Sequence, residues 1–407
     1  MPRRRRWTPV RGTGNRIYDA RERLLAGAVD LAGRAWFAAF GTRAHASAPP
    51  PRDVLVLRLD RIGDVVMSLP ALHDLRRAFP TARLRLAVGA WSREVARNAP
   101  VDEVLVWSAP WAGRPHEGAL AFRELRREAQ ALAAAPPDVA LDLQGDVRAS
   151  WLMHETGARR RVGYANTGGA YLLSDVVPLD ETVSWVEQNR RAAAVIAGPP
   201  AGPPVFAALT DEDRAFATRL FGTLGLASKR PLVAVHPSGG RLVKQWDVAR
   251  WAAVGRRLQE EHGATVLVTG SAADQPLAAQ LARGLRDRPI DLTGKLGVLE
   301  TMSVIAAVDL FLSPDTGPMH MACAVDTPSV SVFGPSDPLR YFSGGSGAPG
   351  TRHVVVRHEL WCAPCNLIRK PPAECAGPEP PECLREVGVA AVYAAAARLL
   401  SEAAGRA

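Results

Sequence analysis

From Asp53 onward, short runs of nearly continuous apolar residues alternate with longer stretches whose apolar positions recur every three or four residues. VLVLRLD (54–60), LRLAVGA (84–90), EVLVWSA (103–109) and VALDLQG (139–145) predict strands, and GDVVMSLPALHDLRRAFP (63–80) predicts a loop and helix after the first of them. WVEQNRRAAAVIAG (185–198) reads as a helix, and PPAGPP (199–204) as a hinge. A second series follows: LVAVHPSGG (232–240), TVLVTGS (265–271), DLFLSPDTG (309–317) and SVSVFGPSD (329–337), with helices expected near 246–261, 274–286, 298–307 and 317–325. Strands buried on both faces read as unbroken apolar runs, and helices alternating with them cover a parallel sheet. The expected fold class is therefore α/β, with two Rossmann-like doubly wound domains at 53–198 and 199–407 facing an interdomain cleft. Sheets of this kind bind ligands beyond the carboxyl ends of their strands.

Residues 1–52 depart from this alternation. Arg3 to Arg6 form a basic run, 17–40 is compatible with a helix, and GTRAHASAPPPRD (41–53) is a Pro-rich linker. Three readings stay open: a signal peptide, a basic amphipathic appendage on a membrane surface, and a loosely docked extension. Asp30 and Arg34 interrupt the apolar part, so it does not reach the run of about eighteen apolar residues that a membrane span needs.

Composition narrows the function classes only slightly. The 407 residues are 47% hydrophobic and 22% charged, which excludes wholesale disorder and a disulfide-stapled miniprotein. The net charge of +9 is carried almost wholly by arginine, since Lys229, Lys244, Lys295 and Lys370 are the only lysines. That excess suits phosphates or an anionic membrane surface. No zinc-finger or aromatic–basic signature supports nucleic acid as a partner.

Three stretches at predicted strand ends carry chemistry. In RLDRIGDVVMSLPAL (58–72), Gly63-Asp64 opens a helix. Asp64 reads either as an N-cap or as a base at the strand's carboxyl end. No GxGxxG and no Walker lysine accompany it, so neither a dinucleotide fingerprint nor a P-loop is supported. In HPSGGRLVKQW (236–246), Ser238, Gly239 and Gly240 offer N–H groups and a hydroxyl, with Lys244 adding positive charge. This is a phosphate cradle or an ordinary loop with a surface lysine. In SPDTGPMHMACA (313–324), Asp315, Thr316 and Gly317 stand at a strand end and His320 lies one turn into the next helix, a second anion site. TGSAAD (269–274) ends another strand, with Asp274 suited to accept a ribose hydroxyl.

Jointly, LRLDRIGDVVMSLPAL, HPSGG with its lysine and tryptophan, and DTG followed by His320 resemble glycosyltransferase family 9, the heptosyltransferase family, from about Asp53 to Leu400. The resemblance implies the GT-B fold, with the nucleotide sugar on the C-terminal domain. It implies transfer of heptose from ADP-heptose to a lipopolysaccharide core or related lipid-linked envelope glycan, with inversion and with no required metal or cofactor. By the same resemblance Asp64 is the general base, and Ser238, Gly239, Lys244, Asp315, Thr316, Gly317 and His320 bind the donor phosphates. Asp274 takes the ribose-contacting position, and Arg58 a basic position that holds donor or acceptor. A cytoplasmic enzyme, peripheral on the inner membrane, is implied. The alternatives are another nucleotide sugar or acceptor, or a nucleotide-sugar-binding protein without turnover.

Two further features leave their readings open. RRRVGY (159–164), with Arg148 upstream, reads as a site for acceptor phosphates or as a solvated basic face. Cys362, Cys365, Cys375 and Cys383 follow a C-x2-C-x9-C-x7-C spacing, for which structural zinc, disulfides and free thiols all stay open.

Overall fold

The computed structural model describes residues 49–112, 121–344, 352–368 and 371–404, together with 24, 27, 28 and 30–35, which are helical. The chain divides into two compact units, 1–206 and 207–407. The basic run Arg3–Arg6 and Lys370 lie outside the described residues.

The first unit is built on six parallel strands: β1 (Asp53–Arg58), β2 (Arg83–Val88), β3 (Glu103–Val106), β4 (Val139–Asp142), β5 (Arg160–Gly163) and β6 (Asp175–Val176). Their order across the sheet is β3-β2-β1-β4-β5-β6. β1 pairs with β2 on one side and β4 on the other, so the winding reverses between β1 and β4. Three helices bear on the site described below: α1 (Ile62–Ala78), α2 (Val147–Glu155) and α3 (Trp185–Ala197). α1 and α3 pack together through a buried Arg190–Asp74 ion pair of 2.7 Å. Arg190 also donates to the Gly202 carbonyl and Arg77 to that of Ala201. The Pro-rich stretch 199–204 is thereby tied to the first unit, which explains why the division falls after it. Part of the expected extension is docked as well. Asp30 is buried and accepts from the Gly169 amide at 2.7 Å, and Gly33 lies against the Tyr171 ring, where a Cβ has no room.

The second unit repeats the plan with β7 (Leu232–Val235), β8 (Thr265–Val268), β9 (Ile290–Asp291), β10 (Leu310–Pro314), β11 (Ser329–Phe333) and β12 (His353–Arg357). The order is β12-β11-β10-β7-β8-β9, all parallel, so the reversal falls between β7 and β10. Its core gathers both strand faces around α4 (Val248–His262) and α6 (Val389–Ala404), with α5 (Gly317–Ala324) following β10. Trp246 and Trp251 meet edge to face at 4.7 Å, both fully buried. Each unit thus has the strand order of a dinucleotide-binding Rossmann sheet.

β5, β6, β9 and β12 are strands the sequence pattern does not predict. They lie at or beside sheet edges and are two to five residues long, too short for an apolar run to stand out. RRRVGY is the instructive case, since β5 runs through it. Arg161 is buried and donates to the carbonyls of Leu172 and Ala158, while Arg160 makes a two-pronged contact with Asp175. Both arginines are thus engaged by neighbouring carbonyls or by Asp175. Among the described residues no helix is long and apolar enough to cross a membrane.

Candidate functional site

Open parallel sheets leave a crevice where the strand order reverses, because adjacent crossovers there run to opposite faces. Both clusters of chemically capable residues stand at these points.

In the first unit β1 ends on Arg58, whose side chain is 2% exposed. Its guanidinium donates to the Leu143 carbonyl just beyond β4, and faces Asp60 at 3.0 Å and Asp64 at 3.3 Å. Trp185, the first residue of α3, lies with its ring centroid 6.0 Å from the guanidinium carbon. Asp64 occupies the third position of α1, whose N-cap is Arg61. One carboxylate oxygen accepts from the Arg61 amide at 3.2 Å and the other turns toward Arg58. Asp64 is therefore not the N-cap; it satisfies an amide in the first turn while keeping 24% of its side chain exposed. Asp142 ends β4, is fully buried, and accepts from the amides of Gln144 and Gly145 at 2.9 Å each. Burial pushes the Asp142 carboxyl up to about 7, against the pull of those amides. Burial likewise pushes Asp60 up to about 8, with Arg58 pulling the other way and Asp64 and Asp142 adding to the rise. Neither Asp60 nor Asp142 is picked out by sequence alone. The available signal is an Asp one or two residues around the end of two neighbouring strands, in RLD (58–60) and LDLQGD (141–146). Arg148 stands apart from this cluster. It grips Asp146 through two contacts of 2.6 and 2.8 Å and stacks over Trp111 at 4.5 Å.

In the second unit the loop after β7 holds Ser238, Gly239 and Gly240, followed by Lys244. Gly239 is fixed by sterics: a Cβ there would sit 2.6 Å from the Gln245 nitrogen and 2.6 Å from the Lys244 carbonyl carbon. Only glycine lets the loop close against the backbone that presents Lys244, and the buried Trp246 anchors that backbone from below. Lys244 Nζ lies 2.8 Å from Asp315 Oδ2, with the two side chains 13% and 6% exposed. Burial by itself pushes Asp315 up, but Lys244, then Ser336 and His320, outweigh it and hold the carboxyl below its ordinary value. An ammonium has three donors and Asp315 takes one, leaving a buried cation able to meet an oxyanion.

Ser238 is brought to Asp274 instead. Asp274 accepts from the Ser271 amide at 2.8 Å and hydroxyl at 2.7 Å, and its carboxyl is held low by Ser271 and Ser238 despite burial. His236, buried beside Thr269, is pushed down to about 4 by burial and is neutral. At the start of α5, Thr316 is the N-cap and its hydroxyl makes no cap bond. Pro318 has no N–H, and the Met319 amide donates back to the Thr316 carbonyl at 3.1 Å. The helix end is thus poorer in donors than its sequence suggests, with the Gly317 amide as its main one. His320 is buried, with Nδ1 2.6 Å from the Ser343 hydroxyl.

The Gly239 geometry makes a prediction. Gly239→Ala should displace the Lys244 backbone, lowering stability by roughly 1–3 kcal/mol through overpacking. ADP affinity should fall with it, as read by urea unfolding and calorimetry; unchanged values for both would show that the loop has slack.

The four late cysteines are all free thiols: Cys362 exposed, Cys365 and Cys375 half-buried and Cys383 buried. Among the described residues no group of three or more His, Cys, Asp or Glu has the geometry to hold a metal, so the zinc reading finds no ligand set. The loop docks instead through the amides of Cys365 and Asn366, which donate to the Pro335 carbonyl, one residue from Ser336.

Against known proteins, the model for glycosyltransferase family 9 (heptosyltransferase) matches residues 125–374, more than half of the chain. The chain belongs to glycosyltransferase family 9. Lipopolysaccharide heptosyltransferase 1 of Pseudomonas aeruginosa is 29% identical over 328 residues, covering 77% of this chain and 85% of that protein. Among solved structures, a family 9 glycosyl transferase from Veillonella parvula superposes with a TM-score of 0.70 at 20% identity, covering 88% of this chain and 100% of that one. The ADP-heptose lps heptosyltransferase II of E. coli gives 0.67 at 21%, covering 86% and 99%. The fold is the GT-B arrangement of two Rossmann-like units, and the family 9 enzyme described here is a glycosyltransferase.

Proposed function

We propose that this family 9 enzyme transfers heptose from ADP-heptose to a lipopolysaccharide core acceptor, inverting the anomeric centre and requiring no divalent metal. The observation that carries the reading is the buried Lys244–Asp315 pair at the β7/β10 reversal, which is a prepared counter-charge for a diphosphate. The names of the relatives supply the donor and acceptor class. In this reading an acceptor hydroxyl attacks the anomeric carbon as the bond to the β-phosphate oxygen breaks. The electron pair leaves with ADP, and the hydroxyl proton passes to the Asp64 carboxylate. Lys244 and the Gly317 amide stabilise charge where it develops on ADP, the task a metal performs in other transferases. Ser238, Gly239, Thr316 and His320 complete the phosphate surroundings, and Asp274 meets the ribose. Arg148, held by Asp146, keeps further guanidinium donors for the acceptor side.

Calorimetric titration with ADP, UDP and GDP, with and without EDTA, tests the donor half. ADP should bind alone and with EDTA-insensitive affinity; preference for UDP or GDP would overturn the heptose donor, and loss of binding in EDTA would overturn metal independence.

Attachment to the cytoplasmic face of the inner membrane belongs to the same proposal. On the docked N-terminal helix Leu24 and Leu31 stand 76% and 70% exposed, in a segment flanked by arginines, which suits an anionic lipid surface. Replacing both leucines with serine should reduce sedimentation with phosphatidylglycerol vesicles and leave ADP binding intact. Undiminished sedimentation would remove this helix as the attachment.

A further inference from the structure

The sequence resemblance gives Arg58 to the donor or acceptor, yet its side chain is only 2% exposed and its donors point inward. We propose that Arg58 and Asp60 form a positioning pair for Asp64, orienting its carboxylate, so that neither touches substrate. The inference rests on Asp64 being the base.

The geometry runs outward from β1. Arg58 is pinned at one nitrogen by the Leu143 carbonyl and flanked by Trp185, so its planar fork has a fixed orientation. A guanidinium held in this way presents its other edges as a rigid template. Those edges face the two carboxylates, Asp60 at 3.0 Å and Asp64 at 3.3 Å. Asp64 is held on its far side by the Arg61 amide, so rotation of its carboxylate is restrained from both ends. The Asp60 backbone is itself fixed, because the Trp91 indole donates to its carbonyl.

Sharing one cation between two carboxylates has a consequence for charge. While Asp60 is protonated, the Arg58 charge faces Asp64 almost alone and holds its carboxylate most firmly. Once Asp60 ionises it competes for Arg58 and repels Asp64, so the hold on the Asp64 carboxylate loosens. The other ionisable groups facing this set are Asp142 from β4 and Tyr164 beyond β5, with Asp146 acting in turn on Asp142. Burial holds the Asp60 carboxyl up at about 8.

The test compares pH–rate profiles for heptose transfer from ADP-heptose to heptose-deficient lipopolysaccharide. Asp60→Asn keeps the shape and removes the titration. It should flatten the step in kcat expected as Asp60 ionises, with the KM for ADP-heptose unchanged. Arg58→Lys keeps the charge and loses the fork, and should lower kcat by roughly 10- to 100-fold through misplacement of the base, again with KM preserved. Urea unfolding of both variants separates a folding defect from a loss of positioning. Wild-type profiles and kcat in both folded variants would overturn the proposal, as would a rise in KM that outweighs the change in kcat, which would mark Arg58 as a substrate contact. If Asp64→Asn is inactive while both variants behave as wild type, only the positioning pair fails. If Asp64→Asn turns over normally, the base assignment fails, and the positioning pair with it.

Discussion

Asp64→Asn is expected to bind ADP-heptose with the affinity of the unaltered enzyme and to lose turnover by about 10²–10⁴-fold, the usual worth of general-base assistance. The amide side chain can still accept from the Arg61 N–H, so the first turn of α1 keeps its bond and the fold is not at stake. What disappears is the capacity to take a proton and the negative charge facing Arg58. A kcat within a few-fold of wild type would remove Asp64 as base and turn attention to Asp60 and Asp142, the other two carboxylates at this reversal.

Lys244→Ala should have the second large effect, and on two observables. ADP affinity should fall by roughly 10- to 100-fold, the equivalent of losing a charge-assisted hydrogen bond worth about 1.5–3 kcal/mol. Stability should fall as well, by about 3–5 kcal/mol, because removing one partner of a buried pair leaves the other charge uncompensated. The pH dependence gives the sign. With Lys244 present, the folded value of Asp315 lies below its unfolded value. Its contribution to stability is then present above the ordinary carboxylate range and is lost as pH falls through the depressed value. Without Lys244, burial dominates, the folded value rises above the unfolded one, and stability falls as pH rises through the carboxylate range. Urea midpoints for both proteins across the acid range should therefore slope in opposite directions. Parallel slopes together with unchanged ADP affinity would make the ion pair a surface ornament rather than the diphosphate's counter-charge.

Much of this was legible in the chain, for physical reasons that differ by element. Central strands such as β1, β4, β7 and β10 are buried on both faces, so their sequences are nearly pure apolar runs. Their loops hold the residues that bear chemistry, which is why Asp64, Lys244 and Asp315 stand out. Edge strands gave little sign: β5 contains two arginines, and β6 and β9 have two residues each. Burial of charge was the other blind spot. By resemblance Arg58 takes a position holding donor or acceptor and Arg161 belongs to a basic stretch, and only the fold reveals that Leu143, Leu172 and Ala158 carbonyls accept from them. Asp60 and Asp142 were missed because a carboxylate's environment, not its letter, makes it unusual. For the four cysteines the sequence leaves zinc, disulfides and free thiols open, and among the described residues they are free thiols with no metal-holding group.

The most direct test of the account is a single transfer reaction. Purified enzyme is incubated with ADP-heptose and heptose-deficient lipopolysaccharide in EDTA, and the acceptor is weighed by mass spectrometry while ADP release is followed. The account predicts an acceptor heavier by one heptose, with ADP released in equal amount. An unmodified acceptor with ADP-heptose, alongside transfer from a UDP- or GDP-linked sugar, would contradict it.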